Sequence, residues 1–142
     1  MKINMFLIAS LMVASSGCSQ QKSPSEVYDE YNSKVIEGIG YQEDLAYFTQ
    51  RKQREAEAKL QQYMKQMKKS REQVIATYLE FSREAAKCKK IDLVSETLEN
   101  DTAILEYSQQ DICGNASTGP EKQIVHMKME QRWKIDSIEI NL

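Results

Sequence analysis

The chain has 142 residues, with 41% hydrophobic and 28% charged side chains, two prolines and a formal net charge of −2. These values fit one packed domain, argue against intrinsic disorder, and are too mild to single out an oppositely charged partner. Three cysteines and one histidine occur without any CxxC or Cys/His ligand spacing, so no metal, cofactor or dithiol redox chemistry is expected.

Residues 1–17 read as an export signal. Lys2 supplies the positive start, and Met5–Ala14 is an apolar run of ten, too short to span a bilayer as a helix. Ser15-Ser16-Gly17-Cys18 then resembles the lipobox of bacterial lipoproteins, in which small residues directly precede a cysteine. The resemblance implies cleavage before Cys18, lipidation of that cysteine, and a membrane partner reached through the lipid. Two or three acyl chains hold far better than a single one. Ser19, where an aspartate would signal retention, implies the outer membrane by the family's sorting rule. Ser15 stands where the family usually has leucine. The alternative is ordinary cleavage near Ala14–Gly17 and a soluble periplasmic protein. Residues 18–23 form a polar tether, and residues 24–142 a single α+β domain.

Ser23-Pro24-Ser25-Glu26 is a helix start, with Ser23 as N-cap, proline in the first turn and Glu26 completing a capping box. Val27, Tyr28, Tyr31, Val35 and Ile36 recur at helical spacing, and Gly38-Ile39-Gly40 ends the helix. Tyr28 and Tyr31 could line a ligand pocket; the simpler reading is core tyrosines with satisfied hydroxyls. A short helix over 41–48 should carry Leu45 and Phe48 inward.

Thr49 can cap the next helix, which runs to about Lys69 with Ala56, Leu60, Tyr63, Met64 and Met67 as its stripe. Residues 49–71 hold eight Lys/Arg against two Glu, a net +6, which leaves the rest of the mature chain at −9. Arg51, Lys52, Arg54, Lys59, Lys65, Lys68 and Lys69 could face anionic lipid headgroups or an acidic partner, or could be an ordinary solvated helix face. Nucleic acid is not expected as a partner outside the cytoplasm. Ser70 with Gln73 makes a second capping box, opening a helix with Val74, Ile75, Tyr78, Leu79, Phe81 and Ala85 inward. The alternative is one unbroken helix on a 4-3 heptad from Ala56 to Cys88, a long helical arm beside a small sheet.

Two β-rich runs, 91–98 and 102–108, flank Glu99-Asn100-Asp101-Thr102. With Asn100 and Asp101 as the loop, Cys88 and Cys113 each lie twelve positions away. In an unbulged hairpin they stand directly opposite, as a non-hydrogen-bonded pair about 4.5 Å apart at Cα. A structural disulfide is expected, and a bulge in either arm would shift this count.

Gly114–Pro120 is a loop. Along 123–131, Val125, Met127 and Met129 share one face, and Ile124, His126 and Lys128 share the other, so the lone histidine should be exposed and non-catalytic. In 132–142, Trp133 and Ile135 are out of phase with Ile138, Ile140 and Leu142. That slip predicts a β-bulge near Asp136–Ser137.

Helices followed by four antiparallel strands imply an α+β fold, with N-terminal helices packed on a curved, mostly antiparallel four-stranded sheet. Ser23-Pro24-Ser25-Glu26-Val27 in the first helix and Trp133-Lys134-Ile135-Asp136 in the last strand resemble the cone-shaped nuclear transport factor 2-like superfamily over residues 24–142. That superfamily includes ketosteroid isomerase, polyketide cyclases and lipoprotein domains. Arg132 replaces the glycine often found before the tryptophan. Without a spacing signature for catalysis, the favoured reading is a tethered, non-enzymatic domain that binds a small apolar ligand or an envelope protein, with Tyr28, Tyr31, Tyr107 and Trp133 as candidate pocket residues. The alternative is an isomerase- or cyclase-type enzyme with Tyr28, Tyr31, Tyr107, Asp44 and Asp136 as candidate parts, although these form no recognisable constellation. A pocket enclosing a buried, shifted carboxylate would favour the enzyme. An exposed basic helix opposite a closed core would favour a protein partner.

Overall fold

The computed structural model describes residues 20–114, 119 and 121–141. The leader and Cys18 lie outside the described residues, as does most of the loop after Gly114.

Helix α1 spans Pro24–Glu37 behind the capping box of Ser23 and Glu26, and stops at Gly38, whose φ of 110° only glycine adopts readily. Helix α2 is Tyr41–Ala46. Helix α3, Gln50–Met67, is capped by the Thr49 hydroxyl, and α4, Arg71–Lys87, by the box of Ser70 and Gln73. Lys68 is left-handed, with φ 51°, and Ser70 is extended. Both conformations break the helical ladder, so α3 and α4 are separate helices and the continuous arm does not form.

Strands β1 (Lys89–Glu99), β2 (Thr102–Asp111), β3 (Glu121–Glu130) and β4 (Arg132–Asn141) form one curved, unclosed antiparallel sheet in the order β1-β2-β3-β4. The fold is α+β, with the helices preceding the sheet. Asn100 (φ 51°) turns β1 into β2, and Gln131 (φ 64°) turns β3 into β4.

Two bulges set the register. On β4, Ser137 pairs with His126 but Ile135 with Met127, so Asp136 is the extra residue. The pairing puts Trp133, Ile135, Ile138 and Ile140 on one face, as the phase slip in the sequence requires, with Trp133 and Ile135 buried and Ile138 and Ile140 38% and 46% exposed. On β1, Leu93 pairs with Tyr107 but Ser95 with Glu106, so Val94 is extra. This second bulge moves the counted register. The Ile112 N–H donates to the Cys88 carbonyl at 2.8 Å, and Cys113 lies one place past the position directly opposite Cys88. The bridge forms nonetheless, with Sγ atoms 2.08 Å and Cα atoms 5.1 Å apart. Past the end of β2, the Asp111 carboxylate accepts the Cys113 N–H at 2.8 Å and folds the chain back.

The core lies between the inner sheet face and α1. Leu105, Val125 and Ile135 are fully buried beside Tyr107 and Met127, under Val27, Tyr28, Tyr31 and Val35. His126 lies on the other face of the sheet, half-exposed, with Nε2 3.5 Å from Glu139. The free edge of β4 is partly covered. The Ile135 N–H donates to the Tyr47 carbonyl at 2.8 Å and the Thr49 N–H to the Ile135 carbonyl at 3.0 Å, which blunts an otherwise open edge.

Three inward assignments are corrected. Phe81 is 74% and Tyr78 40% exposed, because α4 turns Leu79 and Ala86 toward the core instead. In α2 the buried residue is Asp44, while Leu45 is only half-buried.

Candidate functional site

Helices α3 and α4 are anchored to different partners. The start of α3 is tied to β4, where the Thr49 hydroxyl donates to Asp136 at 2.8 Å and Arg51 forms an ion pair with Asp136 at 2.9 Å. Helix α4 is tied to α1 by Leu79 and Ala86 in the core and by Arg83, whose Nε donates to the Ile36 carbonyl at 3.1 Å. Between them, over α2, lies a groove of about 290 Å³, at the small end of ligand-sized sites.

Its walls are mainly apolar. Tyr41, Leu45 and Phe48 come from α2 and the turn after it. Ala56, Leu60 and Tyr63 come from one stripe of α3, and Val74, Ile75 and Tyr78 from α4. The Tyr41 and Tyr78 rings meet edge to face, 6.5 Å between centroids at 88°. Tyr63 is 48% and Tyr78 40% exposed, so the aromatic wall is open to solvent.

Asp44 is the polar group of this wall, and it is 2% exposed. Tyr31 donates to its Oδ1 at 3.0 Å and Tyr78 to its Oδ2 at 3.0 Å. Among the described residues no lysine or arginine forms an ion pair with it. Burial pushes the Asp44 carboxyl above its ordinary value, and the two phenol hydrogen bonds only partly oppose that shift. Burial and the Asp44 charge push Tyr31 and Tyr78 well above the ordinary phenol range. Both therefore remain neutral donors at physiological pH. At the mouth, Lys52 lies 3.5 Å from Glu55, and Lys59 is exposed without an ion pair among the described residues.

The four candidate pocket residues are elsewhere. Tyr28, Tyr31, Tyr107 and Trp133 are buried in the core and are not among the lining residues of this groove. Tyr28 accepts from the Gln123 amide, and Tyr107 donates to Asp29 at 3.1 Å. Burial pushes the Tyr28 phenol up to about 12. These are core tyrosines with satisfied hydroxyls, and Tyr31 touches the groove only through Asp44.

The basic stretch is divided. Arg51 pairs with Glu55 and Asp136, Lys52 with Glu55, and Arg71 with Glu57. Arg54, Lys59, Lys65, Lys68 and Lys69 are exposed, with Lys52 and Lys59 flanking the groove and Arg54 and Lys65 on the opposite side of α3 by helical spacing. Cys88 and Cys113 form the disulfide. Asp136, the other candidate carboxylate, is held by Thr49, Arg51 and Lys128. Burial pushes its carboxyl up, but those hydrogen bonds and the Arg51 charge outweigh it and hold the group below the ordinary range.

Among the described residues no cluster of metal-ligating side chains occurs, and no helix is long and apolar enough to cross a membrane. No protein family, curated protein or solved structure significantly matches the chain. The groove is built by three consecutive helices, with lining residues that run from Tyr41 to Tyr78. The apolar stripe of α3 is the sequence signal that points to it, since Ala56, Leu60 and Tyr63 of that stripe line it.

Proposed function

We propose that the protein is a cell-envelope module, tethered by lipid at Cys18, that binds a small, mainly apolar ligand in the groove between α2, α3 and α4. The observation that carries the binding part is the open aromatic wall of Tyr41, Tyr63 and Tyr78 on a formed cavity. An isolated domain gains by burying such side chains, so leaving them in water is informative. The tether rests on the lipobox-like run ending at Cys18. Helices preceding a curved four-stranded meander are the layout that the likeness to the nuclear transport factor 2-like superfamily implies, although this groove lies among the helices and not in the sheet.

Asp44 gives the enzymatic reading its one specific support, since it is a buried carboxylate with a raised pKa beside an apolar groove. Against it, both carboxylate oxygens already accept from tyrosines, so the groups that would serve as base and oxyanion donors are bonded to each other. Binding is therefore the better reading.

Native mass spectrometry of the protein released from its own membrane tests the ligand. A retained small molecule that is lost in Tyr63→Ala supports the groove. A bare polypeptide mass, together with a captured envelope protein released by reversing the charge of Arg54 and Lys65, replaces it with partner binding. Fractionation of Cys18→Ser tests the tether. Release from membranes is expected, and unchanged partition overturns it.

A further inference from the structure

The groove pairs two features that suit one kind of ligand. The first is aromatic. Tyr41, Phe48, Tyr63 and Tyr78 all line it, and ring faces attract cations through their quadrupole. The protein's own Arg71 already does this, with its guanidinium 5.8 Å from the Tyr41 ring centroid. The second is a buried carboxyl group without a cationic partner. Asp44 is 2% exposed, takes only phenol donors and forms no ion pair among the described residues. Buried carboxylates are ordinarily paired, because an isolated one is costly.

Tyr78 joins the two features. Its hydroxyl donates to Asp44 Oδ2 at 3.0 Å, and its ring lines the groove. A phenol hydrogen-bonded to a carboxylate is polarised toward the phenolate, which makes its ring face more electron-rich. A cation on that face gains the ring quadrupole and, behind it, the Asp44 charge across a poorly solvated path.

Resting on the groove reading, we propose that the ligand is a monovalent organic cation, an amine or quaternary ammonium on an apolar body, with its charge held at Tyr78 and Asp44. An anionic amphiphile fits less well. Its head would have to stay at the mouth beside Lys59, and Asp44 would gain nothing from it. Lys59 repels the incoming cation weakly, since its ammonium is solvated and screened.

The test is calorimetric titration of the exported chain carrying Cys18→Ser, which removes the need for detergent, with octyltrimethylammonium, octanol and octanoate below their aggregation limits. The cation should bind about tenfold more tightly than the alcohol, and octanoate more weakly than either. Asp44→Asn should abolish the preference for the cation while leaving octanol binding in place. Lys59→Gln, on the exposed rim and remote from folding contacts, should tighten the cation and weaken the anion. Equal binding of cation and alcohol overturns this inference and leaves the groove as an apolar site. Tightest binding of octanoate overturns it in favour of an anion site. If none of the three binds, both this inference and the groove reading fail.

Discussion

The sheet half and the helical half of the domain hold aspartates in opposite ways. On β4, Asp136 is surrounded by Thr49, Arg51 and Lys128, and the pairing outweighs burial so that its carboxyl lies below the ordinary range. Among the helices, Asp44 meets only Tyr31 and Tyr78, and burial carries its carboxyl upward. The contrast extends to packing. The centre of the inner sheet face is closed, with Leu105 and Ile135 at 0% exposure, whereas Tyr63 and Tyr78 on the helices are 48% and 40% exposed. The part-buried acid paired with cations ties α3 to β4. The buried acid beside the groove is held by neutral donors alone.

If the sheet core is as tight as its burial indicates, Leu105→Ala should destabilise by about 2–5 kcal/mol, the loss of a packed side chain plus the cavity it leaves. Tyr63→Ala, on the open wall, should cost under about 1 kcal/mol. Urea midpoints measure both, and equal losses would erase the distinction between closed and open halves. Reducing Cys88–Cys113 should come next, removing about 3–4 kcal/mol on the chain-entropy account. An unchanged midpoint in reductant would mean that the hairpin ladder alone holds the two ends.

The aspartates give the smallest and most diagnostic effect. The native Asp136 carboxyl lies below 3.8, so its stabilisation is complete above that value and is lost as pH falls through the lowered native one. The native Asp44 carboxyl lies above 3.8, so it costs nothing in acid. Its penalty grows as pH rises from the ordinary value through the raised one and is constant thereafter. Wild type measured against Asp136→Asn should therefore gain stability on leaving acid, and against Asp44→Asn it should lose stability, over urea series between about pH 2 and 7. Profiles of the same sign would show that the two sites are electrostatically alike.

Local rules made much of the fold legible. Ser23 with Glu26 and Ser70 with Gln73 announce helix starts through their own side chains, and Gly38 and Asn100 mark left-handed positions. The phase slip between Ile135 and Ile138 located the β4 bulge, because alternation reverses when one residue is added. The β1 bulge at Val94 coincides with a fainter change of phase, from Ile91 and Leu93 to Val94 and Leu98. That strand is mostly exposed, so its few apolar residues give the slip little contrast. Phe81 was misplaced because apolar residues surround much of α4, and only contact with α1 selects which of them face inward.

By itself the sequence determined most of the elements, their caps and turns and the α+β order, each of which depends on side chains a few residues apart. The pairing of Cys88 with Cys113 was expected from a hairpin count that the β1 bulge displaces by one place, although the bridge still forms. Core burial was the simpler sequence reading of Tyr28 and Tyr31, and the structure extends it to Tyr107 and Trp133. Tertiary structure alone decided that Asp44, Tyr63 and Tyr78, from three separate helices, meet at a groove. Their approach is set by where α3 docks on β4 and α4 on α1, a long-range balance of packing that no local pattern encodes.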